Sequence, residues 1–312
     1  MKRFQFESMP KTYRKGANFF VFCMLIISIL WFCIFYVAVN FNSILMGFKT
    51  VVGVSDSGSA IFEYSFRNYE ILLQELATPG GLVRTSLINT LKYFVLNFFI
   101  MIPFTYFVAY FLYKKIAGYQ FYRVLFYTPS IMSSVAMVII YKNMIGGNGP
   151  IDVIYSLLSG KEMPAVPPFL TTDEYMTPAI MVYTFWTGFG VNIVLYQGAM
   201  GRIPEEILES AKIDGVTWFR ELFQIVTPLV WSTISMTLIV AMTGLFTTGG
   251  PIMLFGTTEN SWTISYYIFS QVHDSGIFYY PASMGIFFTL ISLPIVLGFR
   301  YIMNKLDPKI EY

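Results

Sequence analysis

Stretches free of any charged side chain alternate along this chain with short segments that collect most of its Lys, Arg, Asp and Glu. Six stretches stand out: Gly16 to Phe48, Tyr93 to Tyr113, Val124 to Tyr141, Tyr175 to Gly201, Leu222 to Thr258 and Ser275 to Phe299. A helix needs about 20 apolar residues to cross a hydrocarbon core of ~30 Å, so each stretch predicts one membrane-spanning helix. The shortest has 18 residues, and the stems of flanking Arg123 and Lys142 extend it by snorkelling. The longest has 37, nearly enough for two helices. However, Thr247-Thr248-Gly249-Gly250-Pro251 interrupts it near its far end, which leaves one. The apolar run of the first stretch is too long for a signal peptide and no small-residue cleavage site follows, so it reads as a retained anchor.

The charges between the stretches predict orientation. Of the 20 Lys and Arg, 14 fall on one side: five before Gly16, then Lys114, Lys115, Arg123, Arg202, Lys212, Arg220, Arg300, Lys305 and Lys309. The basic side is expected to be cytoplasmic, with both termini inside. The outer segments carry Asp56, Glu63, Glu70, Glu75, Asp173, Glu174 and Asp274. In the first of them a Gly/Ser-rich patch from Gly53 to Ala60 precedes Asn68 to Leu76, whose apolar spacing predicts a short interfacial helix. The layout is then an inner tail (1–16), a first span (17–41), an outer segment (42–86), a core of five spans (87–305) with an inner loop (201–229), and a tail (306–312).

Composition narrows the class. Hydrophobic residues are 55% of the chain, charged ones 12% against about 25% in soluble domains, and the mean hydropathy is +0.60. A lipid bilayer is therefore the expected surrounding, and soluble, disordered and disulfide-scaffold classes are excluded. Net charge is only +2, which gives nucleic acid no electrostatic footprint. Cys23 and Cys33 lie about 15 Å apart along one helix and cannot bridge each other.

The inner loop is the informative segment. Pro204 suits a helix start, Glu205 and Glu206 suit the positive end of its dipole, and Ile207, Leu208 and Ala211 form an apolar patch at helical spacing. Gly215 supplies the stop, and Trp218, Phe219, Leu222 and Phe223 return the chain to the membrane. Such a protruding helix can fill a groove on a soluble partner.

Glu209-Ser210-Ala211, followed by Asp214-Gly215 and by Ile225 and Pro228, resembles the "EAA" loop of binding-protein-dependent ABC importer permeases. Ser210 stands where the first Ala is usual. Gly249-Gly250-Pro251 resembles the "GGP" element of the carbohydrate branch, similar to the larger maltose permease subunit. Asn68-Tyr69, Asn89-Thr90, Pro129, Gly149-Pro150-Ile151-Asp152 and Tyr280-Pro281-Ala282-Ser283 fit more loosely.

The resemblance implies an all-α membrane protein of six transmembrane helices with type I importer permease architecture. It implies ATPase coupling through Glu209, Ser210, Ala211, Asp214, Gly215 and Pro228. It also implies a second permease subunit, two ABC ATPase subunits that bind the ATP and Mg, an extracytoplasmic solute-binding protein, and a place in the bacterial cytoplasmic membrane. No cofactor is expected in this chain, which has no Gly-x-x-x-x-Gly-Lys-Ser/Thr loop. The family's mid-membrane substrate positions fall on Ser130, Thr184, Gly188, Val191, Ala241, Gly244 and Leu245, several of them smaller or less polar than in the family. Trp186, Asn192, Tyr196 and Thr243 are physical candidates for the same pathway, since aromatic faces pack on sugar rings and amides and hydroxyls bond their OH groups.

Bland readings compete at several positions. Lys92, inside a span, reads as a snorkelling residue, and His273 beside Asp274 as a surface pair. Gly249-Gly250-Pro251 serves equally as a helix terminator. A secondary transporter or channel would be expected to show paired broken helices or buried ion-coupling carboxylates. A membrane enzyme would need a cluster of His, Asp, Glu or Cys at the membrane face. The sequence displays neither pattern.

Overall fold

A computed structural model describes residues 11–54, 60–160, 162–164, 166–256 and 258–308. The N-terminal tail before Lys11, most of the Gly/Ser-rich patch and the last four residues lie outside the described residues. Among the described residues, four helices are long and apolar enough to cross a membrane: Phe19–Gly47, Leu82–Tyr113, Asp173–Met200 and Tyr279–Lys305. Two bent pairs complete the set: Tyr119–Ile131 with Ser134–Ser159, bent by 109°, and Trp218–Leu229 with Trp231–Thr243, bent by 79°. Counting each pair as one, the six predicted spans are present, and they are numbered one to six in chain order.

The two breaks correct the expectation of plain helices. In span three Pro129 is buried near the end of the first arm, where it offers no N–H to the preceding turn. Met132 and Ser133 then take extended backbone angles before the helix restarts at Ser134. In span five Pro228 sits in the last turn of the first arm, and Val230 (φ −103°, ψ 14°) leaves helical geometry. Span five ends at Thr243, with Gly244 capping it, so the interruption begins before Thr247. A short helix, Ile252–Phe255, and a further one, Ile264–His273, follow where only a loop was expected.

The chain divides into two compact units. The smaller holds residues up to Tyr69 and 277–286. Span one is exposed nearly throughout within it, as an apolar helix surrounded by lipid can be. Its last residue, Gly47, lies under the start of span six: an added Cβ would meet Ile286 Cδ1 at 2.5 Å and the Ala282 and Ser283 backbone at 3.3 Å. Lys49–Val54 and Ala60–Tyr64 pair as an antiparallel hairpin, Lys49 opposite Tyr64, with a bulge between Val51 and Gly53. This hairpin is the one sheet among the described residues of an otherwise helical chain. A helix is present where Asn68 to Leu76 predicted one, as Arg67–Ala77, with Leu72 fully buried.

The larger unit holds spans two to five and most of span six. One core cluster gathers Tyr106, Tyr110, Ile193, Tyr196, Met200, Leu208, Leu222 and Val226 from spans two, four and five and the 205–213 helix. A second gathers Tyr93, Tyr141, Ile180, Tyr183, Ile252 and Phe255 toward the opposite end. The face carrying Lys114, Arg202 and Lys212 is called the basic face below.

Candidate functional site

The loop after span four folds as its punctuation predicts. Pro204 is the extended residue before the helix Glu205–Ile213, and Glu205 and Glu206 occupy its first turn. Asp214 caps the other end and Gly215 takes φ +68°, a left-handed angle that costs any residue with a Cβ about 1–2 kcal/mol. Gly215 N–H donates to the Lys212 carbonyl at 3.1 Å and Val216 N–H to the Ala211 carbonyl at 3.0 Å. This pattern satisfies carbonyls the helix end would otherwise orphan.

The helix is two-faced. Leu208 and Ala211 are buried and hold it to the membrane core. Glu209, Ser210 and Asp214 are exposed. Beside it, Tyr113, Lys114, Lys115, Glu205, Leu208, Glu209 and Lys212 line a polar hollow of about 300 Å³. Of the six residues assigned to this element, five therefore lie on or directly after one short helix. Pro228 lies apart, in the turn before the break of span five.

Polar side chains gather again on the opposite face. Asn89 of span two donates to the Asn260 and Trp262 carbonyls at 2.8 and 3.1 Å, and Thr90 Oγ1 accepts from Ile264 N–H at 2.9 Å. Asp173, at the start of span four, accepts from Thr258 Oγ1 at 2.6 Å and Asn260 Nδ2 at 2.7 Å. Lys142 donates to the carbonyls of Leu254 and Phe255 at 3.2 and 2.9 Å and lies 5.5 Å over the Phe255 ring. The segment after Gly249-Gly250-Pro251 is thus fastened to spans two, three and four. Gly250 has φ +57° and faces the ring of buried Tyr93, which leaves a side chain there strained and short of room. Buried Tyr267, near Glu75 and Glu259, has its hydroxyl pushed up to about 12 by burial first and by the two carboxylates second.

The pathway candidates are dispersed. Trp186 lines an apolar hollow of about 410 Å³ in the elbow of span three, with Thr128, Pro129 and Met137. Ser130 Oγ donates to the Tyr127 carbonyl at 2.9 Å and packs against Gly190. Thr184 Oγ1 donates to Ile180 at 2.9 Å, Thr243 Oγ1 to Val240 at 2.6 Å. Gly188 lies where span four loosens, against Met101. Asn192 and Ala241 are half-buried and Val191 is exposed. Tyr196 is fully buried, edge-on to Tyr106, and Leu245 is also buried; Gly244 caps span five. Lys92 is exposed on span two beside an apolar hollow of about 370 Å³ that includes Leu91, Val95 and Met181. His273 Nδ1 lies 3.7 Å from Asp274 on the surface. Among the described residues no group of three His, Cys, Asp or Glu could hold a metal ion.

Comparison with known proteins agrees with this arrangement. The chain is 26% identical over 242 residues to the probable ABC transporter permease protein YesP of Bacillus subtilis, covering 70% of this chain and 74% of that one. It is 26% identical over 157 residues to the maltose/maltodextrin transport system permease protein MalF of Vibrio vulnificus, covering 47% of this chain but only 29% of that one. In fold it is similar to a chain of the bacterial alginate ABC transporter solved in complex with alginate pentasaccharide-bound periplasmic protein. That match has a TM-score of 0.79 and 20% identity, and covers 94% of this chain and 96% of that one. Residues 82–312, from the first turn of span two to the end, match the model of the binding-protein-dependent transport system inner membrane component, and the chain belongs to that family.

Proposed function

We propose that this chain is the permease subunit of an ATP-driven importer for an oligosaccharide or related carbohydrate in a bacterial cytoplasmic membrane, with its basic face and both termini inside. The observation that carries the reading is the 205–213 helix: Glu209 and Ser210 exposed on one side, Leu208 and Ala211 anchored on the other, and Gly215 closing it in a left-handed turn. That is a docking element with a free face and a fixed root. ATP and Mg are bound by two separate ATPase subunits, whose closure moves this helix and, through it, spans four and five. The opposite face then opens toward a solute-binding protein, and a second permease completes the cavity. The names of the maltose/maltodextrin permease and of the alginate transporter support a carbohydrate as solute.

The test is uptake of labelled maltotriose and alginate trisaccharide by proteoliposomes holding the full complex, with and without ATP. Glu209→Ala and Gly215→Val are expected to abolish uptake and to weaken co-purification of the ATPase. Full uptake and intact assembly in both variants, or uptake driven by an ion gradient with no ATPase present, overturns the assignment.

A further inference from the structure

Span two carries three polar side chains at a spacing of four residues near the basic face, and all three reach into the segment that follows the docking helix. Tyr106 Oη shares a hydrogen bond of 2.8 Å with Thr227 Oγ1. Tyr110 Oη donates to the Trp218 carbonyl at 3.3 Å. Lys114 Nζ donates to both carboxylate oxygens of Glu221, at 2.7 and 3.0 Å. Residues four apart share a helix face, so the three form a ladder about 12 Å long on one side of span two. Residues 221–226 are wound as a π-helical turn, and Thr227 Oγ1 donates to the Leu222 carbonyl within it. Such wide turns recur at functional sites.

Stability alone is a poor reason for this ladder. The Glu221 side chain is only 6% exposed and the Lys114 side chain 25%. Removing two charges from water costs about as much as their attraction returns, and a well-packed apolar pair would serve folding as well or better. What an ion pair with a two-oxygen geometry adds is registry: it holds one helix at one height and rotation against another. Leu208 of the docking helix sits in the same core cluster as Tyr106, Tyr110 and Leu222, so the ladder and the root of the docking helix are one packed body.

Resting on the permease reading above, we propose that Lys114 and Glu221, with Tyr110, are positioning residues that lock span two to the docking segment, so that movement of the 205–213 helix is delivered to span two as well as to spans four and five. The lock acts through registry, not through contact with solute or nucleotide.

The experiment uses the assembled importer in nanodiscs, with spin labels at exposed Arg84 and Glu174 on the opposite face, and reads ATP hydrolysis alongside the label separation. Mg-ATP with vanadate is the probe, and no solute is required. In the otherwise wild-type complex, trapping the nucleotide is expected to shift the separation. In the apolar pair Lys114→Met/Glu221→Leu, assembly and hydrolysis should persist, while the shifted population per trapped nucleotide falls about threefold to tenfold. Lys114→Arg should retain the shift. A full shift in the apolar pair overturns the proposal. If that pair fails to assemble, Tyr110→Phe decides, because it removes only a hydroxyl: a reduced shift supports the lock and an unchanged one overturns it. Absence of any nucleotide-driven shift in the wild-type complex is a different failure, that of the permease reading itself.

Discussion

Gly190→Ala tests how closely span four must approach span three. Gly190 is buried in span four just past the loosened stretch at Gly188, facing Ser130 in the first arm of span three. A Cβ built there collides with Ser130 Oγ and lies 2.7 Å from Ser130 Cβ and 3.5 Å from the Phe126 carbonyl oxygen. Turning the hydroxyl away relieves only the first encounter, and it forfeits the 2.9 Å bond to the Tyr127 carbonyl, a loss of about 1 kcal/mol. The Cβ–Cβ distance remains below any real contact, so one backbone must move. Overpacking of this kind costs about 1–3 kcal/mol. Helices in lipid rely on such small-residue contacts because apolar burial gives them little reason to associate.

The assay is reversible unfolding of the purified protein in mixed micelles, with Ser130→Gly as the second arm of a double-mutant cycle. Ser130→Gly alone should cost about 1.5–2 kcal/mol, the usual penalty of glycine in a helix plus the lost bond to the Tyr127 carbonyl. The double variant should cost clearly less than the sum of the singles, with a coupling of about 1–2 kcal/mol. A stable Gly190→Ala, or strictly additive penalties, refutes the close approach.

Two further outcomes follow from the opposite face. Asn89→Leu leaves the Asn260 and Trp262 carbonyls without their donor, at about 0.5–1.5 kcal/mol for each bond lost, and should expose residues 258–263 to limited proteolysis; unchanged cleavage would show that the loop is held elsewhere. Lys142→Met keeps the packing volume but removes the donor to the Leu254 and Phe255 carbonyls, and should speed hydrogen exchange in the 252–256 helix end about tenfold or more, corresponding to at least about 1.4 kcal/mol; equal exchange would dismiss the contact.

The parts of this fold that the sequence displays are those whose physics is local. Charge-free runs mark partition into lipid, and all six recur as helices or broken helices. The 205–213 helix was legible because its start, apolar patch and stop fall within twelve residues, and Gly215 takes the left-handed angle its position called for. The elbows at Met132 and Val230 were not legible, because partition into lipid says nothing about direction. Pro129 and Pro228 were the available signals, and proline alone is tolerated in many straight spans. The ladder was hidden for another reason: Lys114 and Glu221 are 107 residues apart, and no periodicity connects them. The hairpin left a trace only in Val51 and Val52 before the Gly/Ser-rich patch.

Span two emerges with a role the sequence did not suggest. At the basic face it holds residues 218–227 through Tyr106, Tyr110 and Lys114; at the opposite face it holds residues 260–264 through Asn89 and Thr90. The first of those segments is the opening arm of span five and the second follows its far end, so span five and its outer extension are pinned to span two at both ends. Two rods fastened at both ends can change shape relative to each other only between the pins. Two irregularities of the pair lie there: the break of span five at Val230, and the π-helical turn Leu96–Met101 of span two, which packs against Trp231–Thr243. If the 205–213 helix drives this unit, as proposed, the bending must occur at that contact. Stiffening it is therefore a second way, beside loosening the basic-face pin, to reduce movement while leaving both faces assembled.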